Sequence, residues 1–360
     1  MRDLGASVSM SKKAKKAKRA LALVGVNVAA IIILLYACEI FLLLTAPELK
    51  LPVDGFSQGK LYTWGHEVIN NRYGFREREF GVPKPEGCFR VMVLGDSFTW
   101  GAGLPVEQRY TNVLEGLLRQ AYPGRQIEVL NFGTPGGPTV GERDIFRATK
   151  DAVGPDVVVV GFCLNDTQPK SQHYSVEREA FERKHGGRLR STLSVMNAVG
   201  LSQMGKVVYK AVYRFAEVRG VIPRWQAALQ RTYERDSRQW RRFVEALRDI
   251  KAMCDGIGIG PPIFAVLNQG TRTDRPTDYG NPDDELKLYL KWYHQAEQAA
   301  REVGFATCNH GKEIAADLSD EPLAVNVVDV HPSAGLNHVY ASKLFELVSP
   351  LLKKPRPPKH

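Results

Sequence analysis

The chain has 360 residues, 44% of them hydrophobic and 24% charged. That is enough apolar material for a packed core in one large or two ordinary domains, which excludes a globally disordered chain. The net charge of +10 sits at the ends: residues 1–19 contribute +6 (Arg2, Lys12, Lys13, Lys15, Lys16, Lys18 and Arg19 against Asp3), Lys353, Lys354, Arg356 and Lys359 add +4, and the chain between is neutral. A neutral interior gives no support to nucleic-acid binding, which needs a basic face on a domain.

The basic segment 1–19 runs into ALALVGVNVAAIIILLYACEIFLLLTA, residues 20–46, which carries no charge as far as Cys38. A helix needs about 20 mainly apolar residues to cross a bilayer. Lysines just before the span predict an amino terminus in the cytoplasm and everything after it outside the cytoplasmic membrane. Glu39 then falls toward the outer interface. A cleaved signal peptide has a shorter apolar region, of about 7–15 residues, and ends at a small-x-small site. No such site closes this run, so a retained single-pass anchor is expected.

Residues 47–89 form a membrane-proximal segment whose spacing assigns no chemistry. From Arg90 short apolar runs alternate with amphipathic stretches. Val91–Leu94 reads as a strand and Val106–Tyr122 as a helix; Ile127–Leu130 is a strand and Val140–Ala152 a helix. DVVVVGF, Asp156–Phe162, is β-branched without alternation, which suits a strand buried on both faces. Residues 167–232 break the rhythm, and a structureless loop of that length is foreign to a compact domain. We read a helical insertion in the catalytic domain 90–352. Its place after a strand end fits a lid or substrate wall, an inert surface decoration or a packing face for a partner. Tyr233–Cys254 is then a helix, Pro262–Leu267 a strand, Asp284–Val303 a helix, Phe305–Thr307 a short strand and Leu336–Leu352 the closing helix. Repeated β-α units imply a parallel sheet with helices on both faces. Residues 353–360 read as a disordered tail.

In VMVLGDSFTWGAG, residues 91–103, a buried strand stops at Gly95-Asp96-Ser97. Ligands of open α/β sheets bind at the carboxyl ends of strands, and a serine there becomes a nucleophile once a base activates it. Of the eight histidines, His331 stands apart, two residues after Asp329 in VVDVHPSAG and just before the last helix. An aspartate beside a histidine fixes its tautomer and stabilises the imidazolium. Gly133 closes the Ile127–Leu130 strand region, where a glycine allows close backbone approach. Asn165 follows DVVVVGF, where an amide can donate to an oxyanion. The five cysteines (Cys38, Cys88, Cys163, Cys254, Cys308) are scattered without a C-x-x-C pair, so no structural zinc site is expected; a disulfide outside the cytoplasm is open, with no pair selected.

Together these four blocks, in this order, resemble the SGNH (GDSL) hydrolases over residues 71–352, and NRYGFREREF, residues 71–80, is similar to the segment before the serine block of membrane-anchored relatives. The resemblance implies a flavodoxin-like three-layer α/β/α fold with a parallel sheet. It makes Ser97 the nucleophile, His331 the base, and the Ser97 and Gly133 N–H groups with the Asn165 amide the oxyanion hole, with Asp96 structural. The family's usual acid stands three before the histidine, where this chain has Val328; Asp329, two before, takes the role, as in relatives with Asp-x-His-Pro. The implied activity is hydrolysis or transfer of an ester-linked acyl group, without cofactor or metal. The expected substrate is an acylated extracytoplasmic carbohydrate, with a membrane acyl-donor protein as a candidate partner. Three rival readings stand beside it. A metal phosphoesterase needs a denser ligand cluster. The glycines of GIGIG, residues 256–260, precede a strand and so lack the dinucleotide-binding context. A catalytically silent, membrane-tethered binding or assembly protein remains as the alternative.

Overall fold

The computed structural model describes residues 3–45, 55–57, 59–169, 176–268, 282–309, 321–326 and 329–353. The expected tail beyond Lys353, and Val328, lie outside the described residues. Two compact units divide the chain: residues 1–50 with 180–222, and residues 51–179 with 223–360.

In the first unit, Asp3–Thr45 is one continuous helix, α1. Its stretch Lys18–Thr45 is long and apolar enough to cross a membrane.

The second unit opens with three short antiparallel strands, β1 (Gly55–Ser57), β2 (Lys60–Thr63) and β3 (His66–Glu67). The repeating part follows: β4 (Phe89–Gly95), α2 (Ser97–Trp100), α3 (Tyr110–Ala121), β5 (Ile127–Gly133), α4 (Thr139–Val153) and β6 (Val157–Phe162). Then come α5 (Val176–Ala198) and α6 (Ser202–Val218), which fall largely in the first unit, and α7 (Trp225–Tyr233). The second unit resumes with α8 (Arg238–Gly256), β7 (Ile263–Val266), α9 (Pro282–Val303), β8 (Ala306–Asn309), β9 (Ala324–Asn326), β10 (Asp329–Pro332) and α10 (Ala334–Leu352).

Five strands form one parallel sheet in the order β5-β4-β6-β7-β8. Counted along the chain this is 2-1-3-4-5, the flavodoxin-like order, whose switch point lies between the first and third strands. Alternation along each strand sorts side chains to two cores. Met92, Leu94, Leu130, Phe132, Val158, Val160 and Phe264 face α4, α8 and α9. Val91, Val93, Val129, Val157, Val159 and Ile263 face α3 and α10. Each fully buried side chain of this size contributes about 1.5–3 kcal/mol, so both faces of the expected three-layer sandwich are strongly specified. Ser237 caps α8 by accepting from Trp240 N at 3.0 Å, and Ser333 caps α10 by accepting from Leu336 N at 3.2 Å. No disulfide joins any two of the five cysteines.

Candidate active site

Ser97 is the first residue of α2, at the carboxyl end of the central strand β4, beside the switch point. What seats this turn on the sheet is a row of glycines in register across three strands: Gly95 pairs with Gly133 on β5 and with Gly161 on β6. A Cβ on Gly95 would lie 2.0 Å from Thr99 Oγ1, one on Gly161 2.6 Å from the same atom, and one on Gly133 2.3 Å from Trp100 N. Gly133 is therefore required by the close approach of α2, a packing reason beside the oxyanion role expected of it.

Asp96 caps this short helix, its Oδ1 accepting from Phe98 N at 2.9 Å, while Ser97 Oγ donates to Asp96 Oδ2 at 3.2 Å. Ser97 itself is 5% exposed. The helix ends at Gly101 in the left-handed region, φ 81°, where a Cβ would meet Arg109 Cγ at 2.4 Å. Arg76, from the NRYGFREREF segment, donates to Gly101 O at 2.8 Å and Leu104 O at 2.7 Å and stacks over the Trp100 ring. The segment before the serine block thus braces the loop after it.

His331 and Asp329 lie on β10, which pairs antiparallel with β9. Successive strand side chains alternate, so residues two apart share a face. That geometry explains the Asp-x-His spacing: a carboxylate two before the histidine suits an extended strand, as one three before suits a turn. His331 Nδ1 lies 2.5 Å from Asp329 Oδ1, which also accepts from His331 N at 3.0 Å. The imidazole packs edge-on against Phe98, the residue after Ser97, with ring centroids 5.6 Å apart.

The other oxygen of Asp329 has a partner that sequence reasoning missed. Trp64, 5% exposed in the turn between β2 and β3 with φ 44°, donates its indole N–H to Asp329 Oδ2 at 2.5 Å. Burial works to raise the Asp329 pKa, but the hydrogen bonds from His331, the electrostatic attraction between the two side chains and the Trp64 bond outweigh it and hold the carboxyl below its ordinary value. The only sequence signal for Trp64 is a tryptophan followed by glycine in a segment otherwise read as a spacer.

The two expected oxyanion donors occupy the strand ends on either side of Ser97. The Gly133 N–H donates to Asn131 Oδ1 at 2.9 Å, so in this structure an internal acceptor holds it. Asn165, 2% exposed, gives one amide N–H to Asp96 Oδ2 at 3.1 Å. Cys163 Sγ lies 2.9 Å from the same Asp96 oxygen and 2.9 Å from Asn165 Oδ1, and the Cys163 N–H donates to Asp166 Oδ2 at 2.9 Å. Burial, with Asp166 and Asp96 nearby, pushes the Cys163 thiol well up, so it serves as a donor and not as a nucleophile. The ligating atoms of Asp96, Cys163 and Asp166 lie within 4.8 Å of one another, and these hydrogen bonds account for that grouping. Glu142 on α4 is fully buried, and neither of its carboxylate oxygens has a hydrogen-bond partner among the described residues. Burial first, then Asp96, raise its pKa well above the ordinary value. Asp166 is raised likewise by burial, Glu142 and Asp96.

A flavodoxin-like parallel sheet with Gly-Asp-Ser closing its first strand, and a histidine–carboxylate pair beside the turn that follows, defines a class of α/β hydrolytic domains. The chain belongs to the GDSL-like lipase/acylhydrolase family, whose sequence profile matches residues 93–335, more than half of the chain. No curated protein sequence matches it. Similar solved structures include TesA (14% identity, TM-score 0.39, covering 73% of this chain and 99% of TesA). A variant of Axe2, an acetyl xylan esterase from Geobacillus stearothermophilus, has 16% identity, TM-score 0.40 and coverage of 72% and 93%. A putative arylesterase from Agrobacterium tumefaciens str. C58 has 17% identity, TM-score 0.38 and coverage of 73% and 99%.

Proposed function

We propose that this protein is a membrane-anchored serine esterase that hydrolyses or transfers an ester-linked acyl group, acetyl on an extracytoplasmic carbohydrate in our reading. The observation that carries the chemistry is the chain Trp64–Asp329–His331 beside the Ser97 turn: a half-buried, ionised carboxylate fixing an imidazole near a strand-end serine. His331 takes the proton of Ser97 Oγ as the oxygen bonds to the ester carbonyl carbon. The Ser97 and Gly133 N–H groups and the second Asn165 amide N–H hold the oxyanion, which requires the Gly133–Asn131 bond to be shared or exchanged. Collapse breaks the carbon–oxygen bond to the alcohol, which leaves with the proton from His331. Water, or a second alcohol, then gives its proton to His331, attacks the acyl carbon and frees Ser97. Water makes the protein an esterase and a sugar hydroxyl makes it an O-acyltransferase, with a membrane acyl-donor protein as the partner in the second case.

The apolar helix α1, with the lysines before it, supports an anchor in the cytoplasmic membrane with the second unit outside. Hydrolysis of p-nitrophenyl acetate by the full chain in detergent, beside Ser97→Ala and His331→Ala, tests the chemistry. Each variant should lose about a thousandfold or more in kcat, as removal of a triad member does. A second reading, a silent binding protein, draws on the Ser97–Asp96 and Gly133–Asn131 bonds. It gains if parent and variants are equally slow, and if the acetyl content of envelope polysaccharide is unchanged in a Ser97→Ala strain.

A further inference from the structure

Helices α5 and α6 leave a problem that α1 solves. The N-cap position of α6, Leu201, provides no side-chain cap, and the first N–H groups of a helix need acceptors. Glu39 of α1 supplies them: its Oε1 accepts from Gln203 N at 2.9 Å and its Oε2 from Met204 N at 2.8 Å, with the Ser202 hydroxyl 3.4 Å away. Glu39 is 4% exposed. One helical turn earlier, Tyr36 Oη donates to Val199 O at 2.7 Å. The α5–α6 turn is therefore tied to α1 at Tyr36 and Glu39, nine and six residues before the end of α1 at Thr45. At the α-helical rise that is about 13 and 9 Å along the helix.

The sequence of the turn matches that level. Residues 191–205, STLSVMNAVGLSQMG, carry no charge, while Arg188 and Arg190 precede them and Lys206 and Lys210 follow. Val195, Val199 and Val207 are 63%, 50% and 47% exposed. This uncharged tip is tied at Tyr36 and Glu39 to the part of α1 that exposes Leu34, Ile40 and Phe41. An ionisable group within an apolar span needs a partner, and the α6 N-terminus is one. Helical backbone can enter hydrocarbon because its polar groups are satisfied within the segment. Flanking arginines and lysines reach back to headgroups along their own stems.

We propose that the α5–α6 hairpin is a re-entrant element whose uncharged tip, residues 191–205, is embedded in the lipid of the leaflet around the outer end of α1. This rests on the reading of α1 as a retained anchor. The residues that sequence alone left open as lid, decoration or packing face then serve as a second membrane contact, which restricts rotation of the anchor relative to the bilayer surface.

The test uses the full chain in vesicles of phosphatidylethanolamine and phosphatidylglycerol, in a Cys38→Ser background, with a nitroxide at Val199→Cys, Leu34→Cys or Arg183→Cys. All three positions are exposed, so the label need not disturb packing. A polar nickel chelate is expelled from hydrocarbon, so its collisions at Val199→Cys should fall at least about tenfold below those at Arg183→Cys, with oxygen collisions close to those at Leu34→Cys. If Val199→Cys collides with the chelate while Leu34→Cys does not, the tip stands in water and the inference is overturned with the anchor intact. Chelate access at both overturns the anchor reading and this one with it. Protection of Val199→Cys from both reagents marks a protein-covered face, an interface with a second copy, and also overturns the lipid assignment.

Discussion

In strand β6 every residue from Val157 to Phe162 is buried, whereas Leu21, Ile33, Leu34 and Leu44 of α1 are 63–73% exposed. Strand β6 and the stretch Lys18–Thr45 of α1 are both rich in aliphatic residues; what differs is their exposure. The sheet hides its valines between helices, and α1 displays its leucines and isoleucines as a hydrocarbon-compatible surface. Each unit also hides a carboxylate, and the contrast recurs there. Glu39 is met by two backbone N–H groups. Glu142 has no hydrogen-bond partner among the described residues and is driven toward its neutral form by burial. Burial without donors favours the neutral form of an acid, as at Glu142.

The largest effect is expected where the hydrogen-bonded carboxylate serves chemistry. Asp329→Asn keeps the shape of β10 but loses the charge that orients His331, and kcat should fall about 10³–10⁴-fold, by analogy with triad aspartates elsewhere. Unchanged circular dichroism would keep this a statement about catalysis. Next comes Gly95→Ala, whose Cβ would lie 2.0 Å from Thr99 Oγ1. Overpacking of this kind costs about 1–3 kcal/mol, read as a lower denaturation midpoint, and displacement of α2 should reduce activity as well.

Trp64→Phe removes one hydrogen bond to an ionised acceptor, about 1.5–3 kcal/mol. We expect kcat to fall about 10- to 100-fold with KM unchanged. A variant of unaltered kcat would reduce Trp64 to a packing role. Glu39→Ala leaves the α6 N–H groups uncapped, at about 0.5–2 kcal/mol, and should raise protease cleavage within 191–205 in detergent without changing esterase kcat.

The smallest effect is at Glu142, and its sign depends on pH. The folded-state pKa is raised by burial and by Asp96. The contribution of Glu142 to stability is therefore fully present below its unfolded pKa and is lost as pH rises toward the folded value. Glu142→Gln cannot ionise, so its urea midpoint should exceed that of the parent at pH 8, with the gap closing toward pH 4. A constant gap across that range would show that folding leaves the Glu142 pKa at its unfolded value.

Much of the frame was legible from local pattern. DVVVVGF announced a doubly buried strand, found at Val157–Phe162, and the expected helix at 284–303 is α9, Pro282–Val303. The helix expected from Val106 starts at Tyr110, because Val106–Gln108 form a separate 3-10 turn and the extended backbone of Arg109 interrupts the helix between them. The helix expected over Tyr233–Cys254 starts later, at Arg238 as α8, because Ser237 caps it there, and Tyr233 instead ends α7. Hidden from local pattern were the hairpin carrying Asp329 and His331 and the small sheet carrying Trp64. Strands of two to four residues leave too few alternations to read.

By itself the amino-acid sequence determined the apolar span, the parallel sheet and the serine at a strand end, together with the histidine and aspartate that resemble a known hydrolase pattern. All of these rest on periodicity or on neighbours in the chain. Only the tertiary structure decided that Trp64 completes Asp329 across 265 positions, that Glu39 caps α6 across 164, and that Gly133 is a seat for α2 with its N–H held by Asn131. The reason is physical: a hydrogen bond or a steric approach between distant segments depends on where the packed sheet and helices bring them, and no local spacing records that distance.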